Sequence, residues 1–113
     1  MNTGLDDAVL EKIRGVFVQF PQLEKVVLYG SRAKGNFKPG SDIDMTLLGP
    51  ALTPDALASI SLALDDLLLP YTIDLSLFDS LDNAELRDHI ARVGLVVYQR
   101  MTHKERNRPL RPS

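Results

Sequence analysis

The chain of 113 residues contains no cysteine and no tryptophan, and only 6% of its residues are aromatic. The lack of cysteine excludes disulfides and thiolate metal centres, and it fits an expected cytoplasmic location. The only two histidines, His89 and His103, are too few and too separated for a zinc site. No apolar run reaches the length of a membrane span, and the polar start Met1-Asn2-Thr3-Gly4 is not expected to serve as a signal peptide. Charge of one sign is not in excess either. Thirteen Lys/Arg against fifteen Asp/Glu give a net charge of −2, so the basic footprint that nucleic-acid binders carry is missing. The remainder is ordinary for a globular chain, 44% hydrophobic and 25% charged, with a length that suits one domain. That domain is expected over residues 1–99. Residues 100–113, basic and proline-containing, read as a flexible tail.

Against this plain background one stretch stands out. Lys25-Val26-Val27-Leu28-Tyr29 reads as a strand and runs into Gly30-Ser31; ten residues after Ser31 come Asp42 and Asp44 in strand-like sequence. Glycine lets backbone N–H groups approach a ligand closely, which suits a phosphate cradle at Gly30 and Ser31. A strand alternates its faces, so Asp42 and Asp44 point the same way, roughly 7 Å apart at the backbone. Such a pair can converge on a hard cation such as Mg²⁺. Taken singly these features are weak, since Gly-Ser is a common turn and Ser41-Asp42 is good turn chemistry. Their conjunction points to nucleotide chemistry. Arg32, Lys34 and Lys38 flank the cradle, where a cation is wanted against pyrophosphate charge. Each could equally be a solvated loop residue. Arg32, next to Ser31, is the first candidate for phosphate, and Lys38 for the triphosphate or an acidic partner surface.

A third carboxylate follows from alternation. In Tyr71–Phe78, Ile73, Leu75 and Leu77 share one face, and Thr72, Asp74 and Ser76 the other. A charge inside a strand is costly unless paired or metal-bound, so Asp74 joins the cluster if the two strands are neighbours. Asp79 is the fallback if the register differs.

The coarse order is α/β: one small mixed sheet with helices packed on it. An apolar stripe from Leu5 to Phe20 predicts a helix ended by Pro21, and a short helix is expected from Ser31 to Gly35. Strands are expected over 25–29, 42–48, 71–78 and 95–98. Thr53-Pro54-Asp55 opens a helix expected to run to about Leu69, and Asp82 or Asn83 opens another through Val93. Asp65 and Asp66 read as solvent-side residues, Tyr29 and Tyr98 as packing residues (although an aromatic near Gly30 could touch a base), and His89 as a surface or satisfied polar group.

Gly-Ser, the ten-residue spacer and Asp-x-Asp, in the fuller string GSRAKG…SDIDM, resemble the minimal nucleotidyltransferases (MNT) of the DNA polymerase β-like superfamily. The resemblance spans roughly Leu10 to Tyr98, including Leu86–Tyr98. It implies a polymerase β-like nucleotidyltransferase fold, with Asp42, Asp44 and Asp74 as catalytic and metal-holding residues. It also implies a two-metal Mg²⁺ site, ATP as substrate, and nucleotide contacts at Gly30, Ser31, Arg32 and Lys38. Members are commonly antitoxins whose partners are HEPN ribonuclease toxins, and characterised pairs transfer AMP from ATP to the toxin. The alternatives are neutralisation by stoichiometric binding and nucleotidyl transfer to a small molecule. Neither a membrane nor a nucleic-acid partner is expected.

Overall fold

The computed structural model describes residues 3–100. The chain forms α1 (Asp7–Phe17), β1 (Lys25–Tyr29), α2 (Ser31–Lys34), β2 (Ile43–Leu48), α3 (Pro54–Asp65), β3 (Ile73–Leu77), a 3₁₀ turn (Phe78–Ser80), α4 (Ala84–Val93) and β4 (Leu95–Gln99). The strands lie in the order β3-β2-β1-β4. β1 is antiparallel to both β2 and β4, whereas β2 and β3 are parallel, so the sheet is mixed. A parallel pair needs a crossover, and α3 supplies it.

Local chemistry sets the helix ends. The side chains of Asp6, Thr53 and Asn83 accept the backbone N–H of Val9, Ala56 and Leu86, capping α1, α3 and α4. Two helices stop earlier than their apolar patterns suggest. α1 ends at Phe17, before the Pro21 expected to end it. α3 ends at Asp65 rather than near Leu69, and Leu68 takes a left-handed φ of 55° with its side chain 88% exposed. Leucine continues a helix pattern on paper, but the chain must here leave the helix to reach Pro70 and β3. β2 begins at Ile43, which leaves Asp42 in the preceding loop. Of the expected tail, Arg100 donates its backbone N–H to Glu24 O at 2.8 Å, and residues 101–113 lie outside the described residues.

The two faces of the sheet are built differently. On one, Val26 and Leu28 of β1 join Ile43, Met45 and Leu47 of β2, Ile13, Val16 and Phe17 of α1, and Ile60 and Leu64 of α3 in one buried cluster. Phe17 also meets Tyr98 with ring centroids 5.6 Å apart. Each such fully buried side chain contributes roughly 1.5–3 kcal/mol through burial. The other face carries Val27 and Tyr29 of β1, Asp44 and Thr46 of β2, and Asp74 and Ser76 of β3, as alternation and register require. α4 packs against β1 on this side, with Ile90 buried and Gly94 close against Val27.

Candidate active site

The site begins where β1 ends. Gly30 has φ 77° and ψ −155°, a combination open to glycine and costly for other residues. A Cβ there would stand 2.5 Å from Oδ2 of Asp44, so a larger residue would strain the backbone and also push the Asp44 carboxylate aside. Ser31 then opens the single turn of α2, and the Gly30 carbonyl accepts the Lys34 N–H at 3.1 Å. The following loop is closed by Ser41, whose Oγ donates to Lys38 O at 2.6 Å and accepts Lys38 N–H at 2.9 Å. The loop delivers Asp42, exposed, to the start of β2.

Asp44 sits in register with Asp74 on β3 and with Tyr29 on β1. Adjacent strands are about 4.8 Å apart, so the two carboxylates stand side by side on one face. Burial raises the Asp44 pKa above the ordinary carboxylate value, and the charges of Asp74 and then Asp42 raise it further. The Tyr29 phenol is likewise pushed up, first by burial and then by the charges of Asp44 and Asp74, against the lowering effect of its hydrogen bond with Ser76. Beneath them, Ser76 Oγ donates to Thr46 Oγ1 at 3.0 Å, and Thr46 is fully buried. This floor is polar and internally satisfied.

Asp42, Asp44 and Asp74 thus come to one end of the sheet beside Gly30 and Ser31. Among the described residues, no three carboxylate or imidazole groups are drawn together as a formed metal site. The donor set nevertheless fits a hard divalent cation: every donor is a carboxylate oxygen, and burial together with repulsion from its neighbours raises the proton affinity of the central one. A cation would relieve the same repulsion. Lys34, at the end of α2, and Lys38, on the loop, are exposed.

Arg32 is placed differently from the sequence expectation. It is 2% exposed, and its guanidinium donates to Thr3 O at 2.7 Å and to Ser41 O at 2.9 and 3.2 Å. Its Cζ also lies 5.0 Å from the ring centres of both Phe37 and Tyr71. A cation so engaged ties Ser41, the residue before Asp42, to the N-terminal segment at Thr3. Its position in a one-turn helix directly after Ser31 sends the side chain into the protein, which the sequence does not show. The fallback Asp79 lies in the 3₁₀ turn beyond the far end of β3, beside a cavity of about 320 Å³ lined by Lys25, Leu48, Pro50 and Arg100. That cavity touches none of the three aspartates.

Two further residues meet the site in ways the sequence left open. Tyr29, read as packing, shares the row of Asp44 and Asp74; alternation places it there once the register is known. His89 accepts the Gly30 N–H at Nε2, 3.2 Å away, across 59 residues of sequence. Its only sequence signal is its place one residue before Ile90, which is buried against the sheet.

Residues 11–103 match the family described as "Polymerase beta, Nucleotidyltransferase". No curated protein matches the chain. Among solved structures, a toxin–antitoxin complex with AMP-PNP is 24% identical with a TM-score of 0.66, covering 84% of this chain and 75% of that one. A tri-AMPylated Shewanella oneidensis HEPN toxin in complex with its MNT antitoxin is 20% identical, with a TM-score of 0.63 and coverage of 85% and 74%. A putative nucleotidyltransferase from Sulfolobus solfataricus is 20% identical, with a TM-score of 0.51 and coverage of 80% and 77%. At these identities the solved structures speak for the shared fold, and the family match spans most of the chain: the protein belongs to the polymerase β-type nucleotidyltransferase family.

Proposed function

We propose that this protein is an Mg²⁺-dependent adenylyltransferase of the MNT antitoxin type, which transfers AMP from ATP to a hydroxyl of a HEPN toxin. The observation that carries the reading is the in-register Asp44–Asp74 pair facing Gly30, with Asp42 two residues away. The related complexes with AMP-PNP and with a tri-AMPylated toxin support ATP as donor and a HEPN protein as acceptor.

In the reaction the acceptor hydroxyl oxygen attacks the α-phosphorus of ATP. The bond between that phosphorus and the bridging oxygen breaks, pyrophosphate leaves, and the hydroxyl proton passes to a carboxylate or to solvent. Gly30 leaves room for the phosphates, and the Ser31 hydroxyl with nearby backbone N–H groups holds their β and γ oxygens. Asp42, Asp44 and Asp74 would hold Mg²⁺, which when bound supplies charge neutralisation and eases ionisation of the hydroxyl. Asp74, on an edge strand and exposed, is also placed to take that proton. Lys38 neutralises phosphate charge or meets an acidic partner face. Arg32 contributes by fixing Ser41, the residue before Asp42.

Silencing of the toxin by binding alone is the second reading, because the same fold and carboxylates can serve nucleotide or partner binding without transfer. The test incubates the protein with the partner from the neighbouring reading frame, Mg²⁺ and ATP, followed by intact mass of both chains. AMP-sized additions to the partner, lost with Asp42→Ala, establish transfer. An unmodified partner that is still silenced by Asp42→Ala establishes binding alone.

A further inference from the structure

We propose that His89 is a positioning residue that holds the Gly30–Ser31 corner in its nucleotide-ready shape; this rests on the nucleotidyltransferase reading above. His89 lies on α4, outside the motif, and reaches the corner through its ring. Nε2 accepts the Gly30 N–H at 3.2 Å. To do so the imidazole must be neutral with its proton on Nδ1. The ring also stands edge-on to Tyr29, with centroids 6.3 Å apart and planes at 81°. One side chain therefore fixes two consecutive residues, the last of β1 and the first of the cradle.

This hold has a purpose because the Gly30 conformation is unusual. A glycine is free to rotate, and nothing in its own side chain keeps φ at 77°. Its N–H would otherwise need water or a ligand as partner once covered by α4. With the N–H bound to His89, the peptide between Tyr29 and Gly30 is oriented before any phosphate arrives. Gly30 then need not be ordered at the moment of binding, and preorganisation of this kind appears as affinity. The clamp also removes the Gly30 N–H from the groups free to meet phosphate and leaves that work to Ser31 and the residues after it. His89 touches none of the three aspartates through any hydrogen bond of the described residues, so its effect falls on nucleotide binding rather than on the chemical step.

Two substitutions separate the hydrogen bond from packing. His89→Phe keeps an aromatic ring against Tyr29 but has no acceptor. His89→Gln places an amide oxygen near the position of Nε2. The full-length chain and both variants are titrated with a non-hydrolysable ATP analogue and Mg²⁺, while the Gly30 amide is followed by ¹H–¹⁵N NMR without nucleotide. The expected result for His89→Phe is an upfield-shifted, faster-exchanging Gly30 amide and roughly tenfold weaker binding of the analogue, the factor lost with one hydrogen bond to a covered donor. His89→Gln should recover most of both. In the transfer reaction with the partner, His89→Phe should raise KM for ATP and leave kcat close to wild type. Wild-type affinity in His89→Phe overturns the inference alone, as does His89→Gln binding no better than His89→Phe. If wild type does not bind the analogue although its Gly30 amide is protected, the nucleotide reading fails and takes this inference with it.

Discussion

The two faces of the sheet differ in what they carry: apolar side chains on one, and the carboxylates and phenol of the proposed site on the other. The face under α1 and α3 is apolar and fully buried from Phe17 through Leu28 to Met45. The opposite face crowds Asp44 against Asp74 with Tyr29 half-buried beside them, and there burial first, and then the neighbouring carboxylate charges, raise the pKa of Asp44. A structural carboxylate is normally held by donors that favour its charged form. Asp44 has neighbours that oppose it. Stability invested on the first face is what permits this arrangement on the second, a common division between scaffold and site.

The comparison breaks most visibly in the core. Phe17→Ala should cost about 3–5 kcal/mol in denaturant unfolding, as for other large aromatic truncations in a close-packed interior. Arg32→Met keeps the volume but leaves Thr3 O and Ser41 O without their donors, and should cost about 1–3 kcal/mol. It should also lower transfer by misplacing Asp42, whereas loss of transfer without loss of stability would point to direct phosphate contact. Gly30→Ala should cost about 1–2 kcal/mol through its positive φ and the clash with Asp44 Oδ2, and should weaken nucleotide binding as well.

The smallest stability effect belongs to Asp44→Asn, and its sign is opposite. Because the folded pKa of Asp44 lies above the unfolded one, the native state binds more protons in the window just above the ordinary carboxylate value of 3.8. Stability from this group therefore falls as pH rises through that window and is regained as pH falls. Asp44→Asn should remove that slope and melt at the wild-type temperature or slightly above it near neutral pH. Mg²⁺ should stabilise wild type more than the variant, measured by thermal unfolding with and without the ion.

Much of this was legible in the sequence. The apolar run Lys25–Tyr29 located one strand, and alternation in Ile73–Leu77 located another and put Asp74 on the face opposite its apolar side, because a period of two leaves one choice once that side is known. Thr53 marked one helix start, and the pair Asp82/Asn83 another, where the cap is Asn83. What could not be read depended on long-range placement. Arg32 looked available because one turn of helix does not reveal where its side chain goes, and burial between Phe37 and Tyr71 decides it. His89 bonds to a glycine 59 residues away, a contact that no local pattern encodes. Near Leu68 a run of leucines carried the helical pattern past the point where the backbone turns out.

The most direct test of the division between the two faces measures stability and transfer on the same preparation of Asp44→Asn, with the proposed HEPN partner, ATP and Mg²⁺ present for the second reading. The account predicts a variant that melts no lower than wild type and adds no AMP mass to its partner. A variant destabilised like a core truncation, or one that still adds AMP, would contradict it.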